Sequence, residues 1–136
     1  MIMSLIACAV LGLLIIISLI MFYTAITNRD VLPFYRECIP TEWETISENV
    51  KSLMALLMRF IGIGFLMSAV SMGCAIREVL DKKKLSAVLF LLISGIFQFG
   101  LSLINWKLHR KYGVDSPWKE SIASFLVTFA VVVILF

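Results

Sequence analysis

The sequence predicts an all-α fold, a transmembrane four-helix bundle that forms a single domain over residues 1–136. Hydrophobic residues make up 61% of the chain and charged residues 15%, whereas a soluble domain is about half apolar and about a quarter charged. The apolar residues gather into four runs near the roughly 20 residues that a helix needs to cross a bilayer. The charged residues cluster between these runs. The expected helices cover residues 2–26, 42–77, 85–107 and 117–136.

The first span contains no charged residue between Ile2 and Ile26. A secretory signal would have an early positive charge and a shorter apolar stretch, so we expect this segment to be retained. Its isolated serines, Ser4 and Ser18, are expected to hydrogen-bond to their own helix backbone. Residues 28–40 contain two prolines and are expected to form a loop at the membrane surface.

The second helix is expected to begin at a capping box formed by Thr41 and Glu44, in which each side chain bonds to a backbone N–H of the first turn. Trp43 and the apolar residues after it follow at helical spacing. The first turns are therefore predicted to be amphipathic, to lie at the membrane interface and to run without a break into the second span.

A polar turn from Arg77 to Lys84 is predicted between the second and third spans. The third span covers residues 85–107, and a linker follows from Lys107 to Ser116. Pro117 is expected at the first position of the fourth helix, where its missing N–H costs nothing.

Four spans put both termini and the 77–84 turn on one side of the membrane, the terminal face, and the two longer linkers on the other, the linker face. Lys and Arg number four on the terminal face and eight on the linker face. Because basic residues favour the cytoplasmic side, we expect a multi-pass protein of the cell membrane with both termini outside.

Every Trp and Tyr falls at the linker face. Such residues anchor helices in the headgroup layer, and the same face could dock a partner. The six residues are Trp43, Trp106, Trp118, Tyr23, Tyr35 and Tyr112.

Arg59 stands between two apolar stretches. An unpaired guanidinium in lipid would cost several kcal/mol. We therefore expect Arg59 either to extend to the linker face or to find acceptors inside the bundle, with Asn105 as a candidate partner. It would then set the depth of the second span, or contact a ligand or partner.

Four polar residues of the third span recur at helical spacing and define one face, the polar stripe. They are Ser94, Gln98, Ser102 and Asn105. This stripe is expected to point into the bundle, where Gln98 would hydrogen-bond across helices. The alternative is that the stripe lines a site for a polar ligand or a pore.

The chain offers little for catalysis or metal binding. Cys8, Cys38 and Cys74 are too far apart for a CxxC pair, and the single histidine, His109, cannot complete a metal site. No Asp or Glu lies within the apolar cores, although proton-coupled transport and intramembrane acid–base chemistry usually need one. We expect no catalytic residue, no cofactor and no metal, and no nucleic-acid binding, because the basic residues do not form a groove.

The stretch from Tyr35 to Gly64 contains an aromatic and acidic linker, Trp43 and an LMRxxGxG pattern at Leu57 to Gly64. It resembles a group of small, uncharacterised bacterial four-helix integral membrane proteins. The resemblance covers about a quarter of the chain and implies that Arg59, Gly62 and Gly64 form a recurrent structural or binding element.

Two functional hypotheses follow. In the first, the protein is a noncatalytic accessory or interaction subunit in the lipid bilayer, whose linker face, with Trp43, Arg59 and His109, contacts a membrane-protein partner or another copy. In the second, it is an oligomeric channel, a transporter or a small-ligand or lipid-binding protein that uses the polar stripe. An enzyme acting through His109, Cys38 and Arg59 is the weakest alternative.

Overall fold

The computed structural model describes residues 1–28, 33–38 and 42–135. The elements in these ranges are α1 (Ile2–Thr27), α2 (Pro33–Arg36), a 3₁₀ turn (Trp43–Thr45), α3 (Glu48–Leu80), α4 (Lys84–Tyr112) and α5 (Trp118–Leu135). Helices α1, α3, α4 and α5 are each long and apolar enough to cross a membrane. The predicted all-α, four-span fold is confirmed.

The four long helices form a ring in which α1 packs on α3, α3 on α4, α4 on α5, and α5 back on α1 along the least extensive seam. The outside of this ring carries large exposed apolar side chains, among them Leu13, Phe60 and Ile96. An apolar surface this extensive is the kind that lipid covers. The chain is therefore a multi-pass membrane protein.

The half of the bundle near the terminal face is filled by apolar side chains from all four helices. Small residues allow the helices to approach closely, and Ala7, Ala75 and Ala87 are each fully buried. Leu11, Met72, Leu91 and Val131 fill the space between them. This half is therefore packed by apolar side chains.

The predicted start of the second helix at residue 42 is wrong. Residues 43–45 form a separate 3₁₀ turn, the backbone is extended at Ile46, and α3 begins at Glu48 after Ser47. Thr41 of the proposed capping box lies outside the described residues, while Glu44 accepts a hydrogen bond from Arg36 at 3.4 Å. Glu44 therefore forms an ion pair with Arg36 instead of the expected bond to the helix backbone.

Helix α4 is longer than its apolar run, so the predicted linker start at Lys107 is also wrong. The helix continues through residues 108–112 and ends at Gly113, whose φ of 66° suits glycine. Lys and Arg are good helix formers, and positive charges favour a helix C-terminus. The run of His109, Arg110 and Lys111 that ended the apolar pattern thus extends the helix.

The 77–84 turn is shorter than predicted because α3 runs on to Leu80. Lys82 adopts a left-handed φ of 59°, and the backbone N–H of Lys83 bonds to the carbonyl of Glu78 at 2.8 Å. With the bond from Lys82 N–H to Val79 O, this is a Schellman ending. Three residues, Asp81 to Lys83, are left to connect α3 to α4.

Candidate functional site

A cavity of about 290 Å³ lies inside the linker-side half of the bundle. Its walls come from all four long helices, and Tyr35 of α2 contributes from the linker. The walls are mainly apolar, with polar groups from all four long helices and from Tyr35. The polar lining residues are Ser18, Tyr35, Ser68, Gln98, Asn105, Glu120, Ser121 and Ser124.

The polar stripe of α4 points into the bundle, as predicted. Ser94, Gln98, Ser102 and Asn105 are all at least nine-tenths buried. Gln98 is the central group, because its amide N–H donates to Ser94 Oγ at 3.1 Å and its carbonyl accepts from Thr128 of α5 at 2.9 Å. Ser94 in turn shares a 2.5 Å hydrogen bond with Ser68 of α3. Gln98 therefore belongs to a network that joins three helices.

Only half of the stripe faces the cavity. Gln98 and Asn105 line it, whereas Ser94 is turned to Ser68. The Ser102 hydroxyl donates to the backbone carbonyl of Gln98 at 2.7 Å, so it bonds within its own helix.

Asn105 connects α4 to both linkers. Its side-chain carbonyl accepts a hydrogen bond from the Tyr35 hydroxyl at 3.1 Å, and its amide donates to Ser121 Oγ at 3.1 Å. Its backbone carbonyl accepts from Ser116 at 2.7 Å. The Ser116 hydroxyl thus joins the linker before α5 to α4. The amide of Asn105 fixes the linker-side end of the cavity.

Ser18 departs from the expected behaviour of a helical serine. Thr24 and Thr27 of the same helix donate to their own backbone at 2.8 and 2.7 Å. Ser18 is 7% exposed and lines the cavity, yet its hydroxyl makes no hydrogen bond to any described residue. Among the described residues, no fully buried side-chain nitrogen or oxygen lacks a partner, so the Ser18 hydroxyl is accessible from the cavity. Ser18 is therefore positioned to bond to a molecule inside the cavity.

The two amides also retain bonding capacity. A carboxamide has two N–H donors, and the side-chain nitrogens of Gln98 and Asn105 each use one within the described residues. The residues that line the cavity therefore retain two amide N–H groups and the hydroxyls of Ser18 and Ser124 for bonding to a ligand.

The cavity contains little charge. Among its described lining residues, Glu120 is the only Asp, Glu, Lys or Arg, and it is exposed. Burial, with a smaller contribution from the Cys38 thiolate, raises the pKa of Tyr35 to about 12. The Tyr35 phenol therefore remains a neutral donor across the physiological range.

Arg59 is not a partner of Asn105. Its side chain is exposed on α3 and makes no hydrogen bond or ion pair within the part of the chain that the structure describes. The preceding residue, Met58, is buried and lines the cavity. Arg59 thus lies on the outer side of the same helical turn, in the position expected of a side chain that extends to the headgroups.

Trp43 and His109 lie outside the cavity lining. The cationic groups of Arg36 and Lys51 lie 5.1 and 5.8 Å from the centroid of the Trp43 ring. Nδ1 of His109 donates to the carbonyl of Val114 at 2.8 Å, which holds the linker after α4 against the helix end. His109 therefore has a structural partner, and Trp43 belongs to a cluster of charged and aromatic side chains on the linker face.

Gly62 and Gly64 lie at helix contacts. A Cβ on Gly62 would come within 3.1 Å of Ala25 on α1, and a Cβ on Gly64 would overlap the ring of Phe97 on α4. The two glycines of the LMRxxGxG pattern thus allow α3 to approach both neighbours.

The polar face of α5 was missed by the sequence analysis. Ser121, Ser124 and Thr128 recur at steps of three and four, the same signal that identified the stripe on α4. Ser121 and Thr128 bond to Asn105 and Gln98, and Ser124 lines the cavity. No sequence signal predicts that Tyr35 lies at this site, because the linker around Tyr35 shows no helical periodicity.

Comparison with protein-family models, curated proteins and solved structures finds no match. Across residues 1–28, 33–38 and 42–135, no three His, Cys, Asp or Glu side chains come together in a way that could hold a metal ion. The cavity and the Trp43 cluster are thus the features of the described chain that bear on function.

Proposed function

We propose that this chain is a noncatalytic membrane protein that binds a small amphipathic molecule in its linker-side cavity. The observation that carries the proposal is Ser18, a nine-tenths buried residue whose hydroxyl lines the cavity and makes no hydrogen bond to any described residue. Ligand sites are commonly cavities of about 300–1,000 Å³ with apolar walls and a few placed polar groups. The cavity, at about 290 Å³, is close to the lower limit of this range.

The position of the cavity favours a ligand taken from the bilayer. The packed core closes the bundle towards the terminal face. On the linker side, α1 and α5 both line the cavity instead of filling the space between them. The α1–α5 seam, which is the least extensive of the four, is therefore the natural entry for an apolar molecule.

The test is identification of the bound molecule in protein purified from native membranes in a mild detergent. Mass spectrometry of the extracted small molecules is expected to show one amphipath in near-stoichiometric amount. Ser124→Phe places a ring in the cavity and should reduce that amount at least fivefold. Ala123→Phe, on the exposed side of the same turn, is the matched control and should retain it. Equal amounts in all three proteins would contradict the proposal.

A second candidate function is that of an accessory or interaction subunit. The cluster of Trp43, Arg36, Glu44 and Lys51 favours it, because two cations lie 5.1 and 5.8 Å from the Trp43 ring centroid and Arg36 forms an ion pair with Glu44. Aromatic and Arg side chains are enriched where proteins meet.

For this role, native electrophoresis of solubilised membranes should show the chain in a species larger than the monomer, and Trp43→Ala should shift it to the monomer. Migration of the unmodified chain as a monomer would remove this candidate. A channel between chains gains no support from the polar stripe, since all four of its side chains are buried within one chain.

We also propose that both termini lie outside the cell. The support is the eight Lys and Arg residues near the linker face against four near the terminal face.

A further inference from the structure

We infer that the ligand of the cavity is an uncharged amphipath with carbonyl or hydroxyl oxygens, such as a monoacylglycerol. This inference rests on the proposed function and adds the chemical class. It is carried by the balance of donors, acceptors and charges that the lining presents.

The lining retains hydrogen-bonding groups that need a partner. Gln98 and Asn105 each have one amide N–H beyond those used within the described residues, and the hydroxyls of Ser18 and Ser124 make no hydrogen bond there. A ligand oxygen can accept from the amide N–H groups and from the hydroxyls. A hydrocarbon would leave all of them unpaired, and an ammonium group could donate to a hydroxyl but could not accept from either amide N–H.

The charges of the lining argue against an anion. No Lys or Arg lines the cavity among the described residues, and the one carboxylate, Glu120, lies near the linker-side end. A phosphate or carboxylate headgroup would have to be buried without a counter-charge and beside Glu120, and both effects oppose binding. The hydroxyls of a glycerol headgroup, in contrast, can donate to Glu120.

The spacing of the polar groups suits an extended headgroup. Gln98 and Asn105 are seven positions apart on α4, which is about 10 Å along a helix. Leu101 lies between them in the wall. A molecule with an acceptor near Gln98 and hydroxyls near Asn105 and Glu120 would span this distance and leave its chain free to pass between α1 and α5.

The test compares three lipids with the same oleoyl-type chain: oleoyl glycerol, oleoyl glycerol phosphate and oleylamine. Binding to the purified full chain is measured by native mass spectrometry, with each lipid at the same mole fraction in the micelle. Oleoyl glycerol is expected to bind at least tenfold more tightly than either charged lipid. Glu120→Gln should strengthen binding of the phosphate lipid at least threefold and change binding of oleoyl glycerol less than twofold.

Two substitutions test which side chains of the cavity donate hydrogen bonds to the ligand. Gln98→Leu is expected to weaken oleoyl glycerol binding about tenfold, and Ser18→Ala about threefold. Ser102→Ala is the matched control, because Ser102 belongs to the same stripe but does not line the cavity, and it should bind as the unmodified protein does. Thermal unfolding in the same detergent checks that each variant is folded. If the Gln98→Leu variant is unfolded, Ser18→Ala is compared with Ser102→Ala instead.

The outcomes separate the two proposals. Equal binding of the three lipids, or unchanged binding in the folded donor variants, would overturn the ligand class while the cavity remained a binding site. Tighter binding of a charged lipid would overturn it in the same way. Failure of the folded, unmodified protein to bind any of the lipids, together with an empty extract from native membranes, would overturn the proposed function itself.

Discussion

The hydroxyl of Tyr35 donates a hydrogen bond to Oδ1 of Asn105 at 3.1 Å, across 70 positions of the chain. This bond joins the linker after α1 to the linker-side end of α4. Asn105 is 1% exposed, so its carbonyl cannot turn to water if the bond is lost. The closure of the cavity on its linker side depends on this pair.

Tyr35→Phe should lower the free energy of unfolding by about 1–3 kcal/mol, because it leaves the buried Asn105 carbonyl without its donor. Thermal or denaturant unfolding in mild detergent measures this. Tyr23→Phe is the control, since Tyr23 is 67% exposed on α1. Loss of its hydroxyl should change the free energy of unfolding little. Equal effects of the two substitutions would mean that the Tyr35–Asn105 bond does not stabilise the fold.

Ionisation of Tyr35 should be delayed to high pH. Its pKa is raised to about 12 from an ordinary value of 10.0, chiefly by burial. Because the fold favours the neutral phenol, its contribution to stability is complete below pH 10 and is lost as the pH rises from 10 towards 12. Ultraviolet difference titration of the unmodified protein against Tyr35→Phe isolates this one group. A difference signal centred at pH 10 would show that the phenol is not buried.

Gly64→Ala should destabilise the bundle by about 1–3 kcal/mol, because the added methyl overlaps the Phe97 ring. Phe97 also packs edge-on against Phe65, with centroids 5.1 Å apart, which limits its movement. Gly73→Ala in the same helix meets nothing within 4 Å, and should be neutral or stabilising by up to about 1 kcal/mol.

Thermal unfolding of both alanine variants measures the difference in their stability. Adding Phe97→Leu to Gly64→Ala should recover part of the loss. If Gly64→Ala proved as stable as Gly73→Ala, the close approach of α3 to α4 at this point would be disproved.

Lys82→Gly should stabilise the protein by about 1 kcal/mol, because a side chain is strained in the left-handed region and Lys82 has a φ of 59°. Arg77→Gly removes the same charge from the last turn of α3, where glycine costs about 1 kcal/mol. The two substitutions should therefore shift the unfolding midpoint in opposite directions. A shift in the same direction would show that charge, and not backbone conformation, controls this turn.

Cys38 and a cysteine placed at Lys83 should react from opposite sides of the membrane. Single-cysteine chains, with the other native cysteines replaced by alanine, are labelled in sealed, oriented vesicles with an impermeant thiol reagent. Burial and the nearby Glu37 raise the pKa of the Cys38 thiol, so the labelling is done in alkaline buffer. If the termini are outside, Lys83→Cys reacts in right-side-out vesicles and Cys38 in inverted ones. Reaction of both from one side would contradict the four-span topology.

Several features of the fold were predictable because they depend on local pattern. In a bilayer the backbone has to bond within its own segment, so a long apolar run forms a helix whatever its neighbours are. The same periodicity placed Gln98 and Asn105 on one inward face of α4. The ends of the helices were less predictable, since a helix such as α4 continues into the headgroup layer after its apolar residues end.

The sequence by itself determined four spans, their order and the inward stripe of α4, because apolar length and the 3.6-residue period are properties of each segment alone. Only the tertiary structure decided how the polar groups are used. Thr128 bonds to Gln98 and Tyr35 bonds to Asn105, whereas Ser18 lines a cavity and bonds to none of the described residues. Hydrogen bonds and cavities depend on distances between segments far apart in the chain, and those distances are set when the helices pack.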